Sequence, residues 1–336
     1  MNYKNARTCC FAAIIILLCS SCTTMQYQED RGNIFNTYYQ IKYESSVLLT
    51  EKIEAELQAL NLSLNPFNPN SIISKVNRNE DVEVDNWFSI VFHKAMEVSE
   101  KSDGAFDATV SPLVNLWGFG YEREDNLSQQ TIDSIKAFVG YQKIRLENKR
   151  VIKDDPRITL NFSAIAKGYA CDVIGALLER EGVKNYMVCI GGDIASKGKN
   201  HRGVCWQIGI NEPEDDTTGM INEVGDAVVL CGKKGLATSG NYRNFRIIDG
   251  KKYGHTIDPR TGYPTEQSIL SATIVASDGM TADAYATAFM VMGVEAACKM
   301  AESLPEIEYY LLCSDDSSFS YRRVFSNGMK QMLKMK

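Results

Sequence analysis

The chain of 336 residues carries 42 acidic against 36 basic residues, a formal net charge of -6, and is 44% apolar. That apolar share supports one large core or two ordinary ones, while the acidic balance and the lack of a long basic run exclude a nucleic-acid partner. A body of this kind suits a small-molecule enzyme that holds any phosphate locally, through backbone amides, metal or a few cations.

Residues 1–21 read as a leader: Lys4 and Arg7 precede the apolar run Phe11 to Leu18, which gives way to small residues before Cys22. That run is far below the roughly 20 residues a spanning helix needs. The LLCSSC stretch resembles a bacterial lipoprotein signal, with cleavage before Cys22 and acylation of its thiol. Cys22 is therefore the expected lipidation site, and the expected location is exported, anchored to the bacterial membrane and facing the periplasm. Residues 22–33 are expected to form a polar tether and residues 34–336 the folded body.

Thr37 to Tyr43 alternates as a strand would. Ile53, Leu57, Leu60 and Leu64 recur at helical spacing until the turn at Pro66 and Pro69. Asp85 is placed to cap a second helix with Phe88, Val91, Phe92 and Ala95 on one face, ending at Asp103-Gly104. GAFDATVSPLVNLWGFG, from Gly104 to Gly120, has no clean period and reads as a structured loop lining a pocket. Ile158 to Phe162 reads as a short strand entering a helix, with Ser163 as N-cap and Gly182 just past its end. Such a turn can receive a phosphate on its free amides, although a simply packed helix start has the same look.

Further strands are predicted at Tyr186–Ile190, Trp206–Ile210, Ala227–Cys231 and Phe245–Ile248, the last turning through Asp249-Gly250. Ile269–Ala276 is another; helices follow at Thr281–Met292 and Val294–Ser303, and strands return at Tyr309–Cys313 and Ser320–Phe325. With no internal repeat and no linker, the expected fold class is α+β, mixed sheets with packed helices in two intertwined subdomains. Outside the leader, Cys171, Cys189, Cys205, Cys231, Cys298 and Cys313 form no CxxC pair and no His/Cys cluster, which argues against a zinc or redox site. Export permits a disulfide among them, with its pairing left open.

Of the three histidines, His93 lies in an amphipathic helix and His201 in the basic loop KGKNHRG, positions that suit structural or solvated roles. His255 ends a hairpin strand and runs into Ile-Asp-Pro-Arg-Thr-Gly, a turn stiffened by Pro259. An imidazole there, with a reference pKa of about 6.5, is equally a general base or a hydrogen-bonded turn residue. Asp283 and Thr287 stand four apart in a predicted helix, so their oxygens share a side. Ala282, Ala284, Ala286 and Ala288 around them leave room for a ligand. Carboxylate and hydroxyl are the hard donors Mg²⁺ takes, although Asp283 alone is also explained by the positive end of a helix.

Together, GAFDATVSPLVNLWGFG, SAIAKGYACD, ATSGNYRNF, HTIDPRTGYP and ADAYATA resemble the ApbE family of FAD:protein FMN transferases. The resemblance implies an enzyme that takes FAD and Mg²⁺, releases AMP and attaches FMN to a threonine of an acceptor protein. It also implies roles: Asp283, Thr287 and the Ala164 carbonyl as metal ligands, Asn161 and Lys167 beside the nucleotide, and Ala105, Phe106 and Asp107 lining the FAD site. Phe35 and Phe67 would pack on FAD, Ile257 would touch it, and His255 would take the proton of the incoming threonine. The chain departs from the family's common pattern at Phe35-Asn36-Thr37, Phe67 and Asn161. Stacking survives a Phe in place of Tyr, whereas Asn in place of Asp removes a charge. An FAD pyrophosphatase yielding FMN and AMP, or a lipoprotein that only binds flavin, are the alternatives at this stage.

Overall fold

The computed structural model describes residues 25–120, 127–213, 223–242, 244–248, 250–266, 268–315 and 321–335. The leader, Cys22 and Asp249 of the expected hairpin turn lie outside them. The chain opens with a hairpin, β1 (Gln26–Ile34) on β2 (Thr37–Ser45). Its two turn residues, Phe35 and Asn36, have φ of 50° and 59°, the paired left-handed geometry whose twist matches the strands it joins. The tether expected through Asn33 is therefore strand from Gln26 onward. Its mostly polar residues fit an edge position, where one row of backbone groups is left without a neighbouring strand.

Three helices follow, α1 (Thr50–Leu64), α2 (Ile72–Asn77) and α3 (Asn86–Lys101). Asp85 caps α3 as expected, its Oδ1 accepting the Phe88 N–H at 2.8 Å. The segment read as an irregular loop contains a short helix, α4 (Ser111–Leu116), with Pro112 in its first turn, where a missing N–H costs nothing. Next come α5 (Gln129–Lys136), a small hairpin of β3 (Ile144–Glu147) and β4 (Arg150–Lys153), and α6 (Ala166–Arg180).

The strands β5 (Tyr186–Ile190) and β6 (Asp193–Lys197) form a hairpin through Gly191-Gly192. After β7 (Trp206–Asn211), β8 (Val224–Leu230) and β9 (Lys234–Gly240) comes the hairpin of β10 (Phe245–Ile248) and β11 (Lys251–Gly254). The chain closes with β12 (Ile269–Ala276), α7 (Gly279–Met292), α8 (Val294–Glu302), β13 (Glu308–Ser314), β14 (Tyr321–Phe325), α9 (Asn327–Met332) and β15 (Leu333–Lys334).

An eight-stranded antiparallel sheet in the order β1-β2-β5-β6-β9-β12-β13-β14 joins both halves of the chain, meeting where β6 pairs with β9. The mixed helix and antiparallel sheet content is the α+β class expected. Helices cover one face, burying Ile53, Phe88, Phe162, Ile174, Tyr285 and Phe289 in a single core. The other face packs Cys189, Leu236, Val275 and Leu312 against Trp206, Val228 and Leu230 of a three-stranded sheet, β15-β8-β7.

Cys205 and Cys231 form a disulfide, with Cα atoms 5.0 Å apart, just beyond the Trp206–Leu230 pair. Cys171, Cys189 and Cys313 are buried thiols. Across a sequence separation of 26, such a crosslink contributes about 3 kcal/mol through the unfolded state. Cys205→Ser/Cys231→Ser should therefore lower the melting midpoint by several degrees, read by differential scanning fluorimetry under non-reducing conditions. An unshifted midpoint would show that the clasp does not stabilise the fold.

Candidate active site

The site is built where α6 crosses α7. Residues 158–162, expected as a strand, are not one. Asn77 instead clamps Leu160, donating to its carbonyl at 2.9 Å and accepting its N–H at 2.7 Å, so one side chain supplies what a neighbouring strand would. Ser163 is not the N-cap either. Its N–H goes to Asn161 Oδ1 at 2.8 Å in an Asx turn, and α6 starts three residues later at Ala166.

One turn into α6 the two helices touch backbone to backbone. A Cβ on Gly168 would lie 2.1 Å from the Gly279 carbonyl oxygen and 2.8 Å from Asp283 Cβ. That approach brings the Asp283 carboxylate onto the Gly168 N–H at 3.1 Å. Asp172, also on α6, receives the Gly279 and Met280 N–H groups at 2.7 and 2.8 Å and so closes the first turn of α7. Burial pushes Asp172 up to about 7, against those two hydrogen bonds.

The charges converge at the same place. Lys167 Nζ lies 2.5 Å from Asp193 Oδ2 and 3.4 Å from Asp283 Oδ2. Burial disfavours the ammonium, but the two carboxylates outweigh it and hold Lys167 charged, well above the usual lysine range. Burial, and then the neighbouring Asp283, push Asp193 above the usual carboxylate range, with Lys167 opposing. Two buried carboxylates around one ammonium leave room in the charge balance for a further cation. Thr287 Oγ1 is 3.1 Å from Ser239 Oγ, which fixes the hydroxyl one turn along α7 from Asp283.

These groups line a cavity of about 410 Å³. The structure brings Ala105, Phe106, Asp107, Asn161, Ala164, Lys167, His255, Ile257, Asp283 and Thr287 to its wall. Phe35 and Phe67 line a second cavity of about 250 Å³, which shares Ser163, Lys167 and Gly191 with the first. All the folded-region residues singled out from sequence thus lie around two adjoining spaces that meet at Lys167.

Two of these residues have close partners of their own in the wall. Both Asp107 oxygens are engaged, one by the Thr109 N–H and hydroxyl and the other by the Tyr141 N–H from 34 residues along the chain, so the carboxylate shapes the wall. Burial raises its pKa in spite of these bonds. The charges flanking His255 also turn inward, because Asp258 binds Arg260 through two contacts of 2.9 Å. What acts on His255 is burial, which lowers its pKa, the Asn244 carbonyl, which opposes, and the Lys167 ammonium, which adds to the drop. His255 Nδ1 lies 3.2 Å from the Asn244 carbonyl. A carbonyl only accepts, so Nδ1 carries the hydrogen in that contact and Nε2 keeps its lone pair.

Sequence reasoning missed Asp193, Asp172 and Ser239. For Asp193 a signal exists: Ile-Gly-Gly-Asp after an apolar strand is a two-residue hairpin turn, which places the aspartate first on the returning strand. Gly191 and Gly192 have φ of 59° and 99°, and a Cβ on Gly191 would press on Thr37 at 2.9 Å.

Residues 35–311 match the ApbE family. The chain belongs to this family. A Haemophilus influenzae relative named FAD:protein FMN transferase is 36% identical over 305 residues, covering 86% of this chain and 87% of the relative. The Escherichia coli K12 protein of the same name is 34% identical over 288 residues, covering 83% and 80%. The solved flavin transferase ApbE from Vibrio cholerae matches with a TM-score of 0.81 at 31% identity, over 92% of this chain and all of that one, 100%. The apo flavinyl transferase ApbE of Pseudomonas stutzeri gives 0.79 at 27% identity, over 92% and 97%. The ApbE cavity of this chain is thus built on a crossing that tolerates no added side chain. Gly168→Ala should cost about 1–3 kcal/mol, visible as a lower denaturant midpoint, and an unchanged midpoint would mean that the helices part freely.

Proposed function

We propose that this chain is a Mg²⁺-dependent FAD:protein FMN transferase that moves FMN from FAD to a threonine hydroxyl of an acceptor protein and releases AMP. The observation that carries the reading is the pair of cavities meeting at Lys167. A dinucleotide has two ring systems joined by a charged pyrophosphate, and here two spaces flank one half-buried cation. Family membership and the FAD:protein FMN transferase relatives support the same reaction.

Among the described residues no cluster of three or more His, Cys, Asp or Glu side chains could hold a metal ion. An ion would therefore draw on the Asp283 carboxylate, the Thr287 hydroxyl, the Ala164 carbonyl and substrate phosphate, a hard oxygen set that fits Mg²⁺. When bound, it would act as a Lewis acid and charge neutraliser at the pyrophosphate. The chain's own residues do the rest. Lys167 faces the phosphates as a permanent cation held by Asp193. Neutral His255 accepts the proton of the incoming threonine hydroxyl at Nε2, and the cavity walls align the hydroxyl with the phosphorus, which supplies much of the rate in such transfers.

The leader and Cys22 support an exported, lipid-anchored protein facing the periplasm. The Cys205–Cys231 disulfide suits that oxidising compartment. No helix of the described residues is long and apolar enough to cross a membrane.

The deciding experiment incubates the protein with FAD, Mg²⁺ and an acceptor bearing a threonine flavinylation motif, and follows AMP release and covalent flavin fluorescence. AMP without labelled acceptor would make the enzyme a pyrophosphatase, and neither product would make it a flavin binder. His255→Ala should slow transfer by about 10²- to 10⁴-fold while FAD still binds; undiminished transfer would remove the base assignment. Because the His255 pKa is lowered, the base stays neutral further into acid, so the acid limb of the rate profile should fall below the ordinary histidine range. Asp283→Ala should lose both activity and metal dependence, and full activity of that variant in EDTA would end the Mg²⁺ assignment.

A further inference from the structure

The end of the β1–β2 hairpin remote from the cavities carries a surface that the reaction does not use. Gln26 pairs with Ser45 there. Beyond that pair, Met25, Val47 and Leu48 are exposed by 52%, 56% and 72%, and Val204, just after the basic loop, by 56%. The basic loop KGKNHRG lies against the same end: the Tyr27 ring packs edge-on against His201 with centroids 6.2 Å apart, and its hydroxyl donates to the Lys199 carbonyl. Asn185 ties the two loops together, accepting the Lys199 N–H at 2.8 Å and donating to Glu44 at 2.7 Å. Lys199 and Arg202 are exposed, while the nearby Glu44 is half-buried and engaged by Asn185.

We propose that this surface rests on the membrane, its apolar side chains dipping among anionic lipid headgroups that Lys199 and Arg202 contact. The inference rests on the reading of Cys22 as the lipid-bearing residue. Cys22 precedes Gln26 by four positions, and four extended residues span at most about 14 Å. Whatever surrounds Gln26 must therefore lie at the headgroup layer. Exposed apolar side chains with neighbouring Lys and Arg are what such a layer takes up. β1 has 9 residues, so at roughly 3.3 Å per residue the hairpin carries the Phe35 turn and the cavities about 30 Å above the bilayer.

The test uses the full chain, processed and purified with its anchor, in vesicles of equal parts phosphatidylglycerol and phosphatidylcholine or of phosphatidylcholine alone. Backbone hydrogen exchange of residues 46–49 and 198–204 should slow about 25-fold on the anionic vesicles, since each of the two cations contributes about a fivefold bias. Residues 65–71 at the cavity rim should exchange equally on both. Lys199→Glu/Arg202→Glu should abolish the difference and leave flavin transfer in detergent unchanged, and high salt should weaken it. An acylated Cys22 with equal exchange on both vesicles overturns this inference alone. A Cys22 peptide without acyl mass overturns the anchor reading and the inference with it.

Discussion

Two glycines facing each other across a helix crossing set the geometry of this molecule. Gly168 and Gly279 let the backbones of α6 and α7 meet with no side chain between them. Everything that gives the cavity its character is referenced to that contact. Asp283 reaches the Gly168 amide because the helices are this close, and Asp172 can close the first turn of α7 for the same reason. Lys167, one residue before Gly168, is thereby aimed between the carboxylates of two elements that lie far apart in sequence. A spacing larger by one methyl group would uncouple the turn that bears Lys167 from the helix that bears Asp283 and Thr287.

The electrostatics follow from that placement. Asp193 and Asp283 are each 3% exposed, and removing one partner from a buried charged cluster costs several kcal/mol. Lys167 is thus structural and chemical at once. It compensates the carboxylates in the folded chain and presents a fixed positive charge to whatever anion enters. Phosphoryl transfer asks for this preorganisation, because its transition state spreads charge over oxygens that the protein must meet without rearranging.

Much of this was legible in the sequence where local chemistry decides. The apolar period of α1, the Asp85 cap and the limits of β5, β10 and β12 are set by neighbours a few residues away. The cavity-lining positions were legible through five separated motifs, since each brings its own turn or helix face. What escaped depends on distant partners. Residues 158–162 look like a strand, but Asn77, far back in the chain, takes both backbone hydrogen bonds of Leu160. Asp107 lines the cavity, but nothing near it in the chain says that the Tyr141 N–H, 34 residues on, takes one of its oxygens. The segment before Asn33 looks like a tether because an edge strand needs little apolar content. Asp193 shows only as the residue after a Gly-Gly turn, and nothing local says that Lys167 waits for it.

The margins of the large sheet bear on how copies of this chain meet. If the chain is anchored through Cys22 as proposed, copies held at one height would present their free strands to each other in register, the arrangement that favours sheet-to-sheet joining. β1 and β14 are those margins. Glu29 and Arg31 are exposed along one, Arg322 and Arg323 along the other. Charges on an open strand deter a neighbour from adding to it, so the polar composition that disguised β1 as a linker also keeps a densely packed population from polymerising.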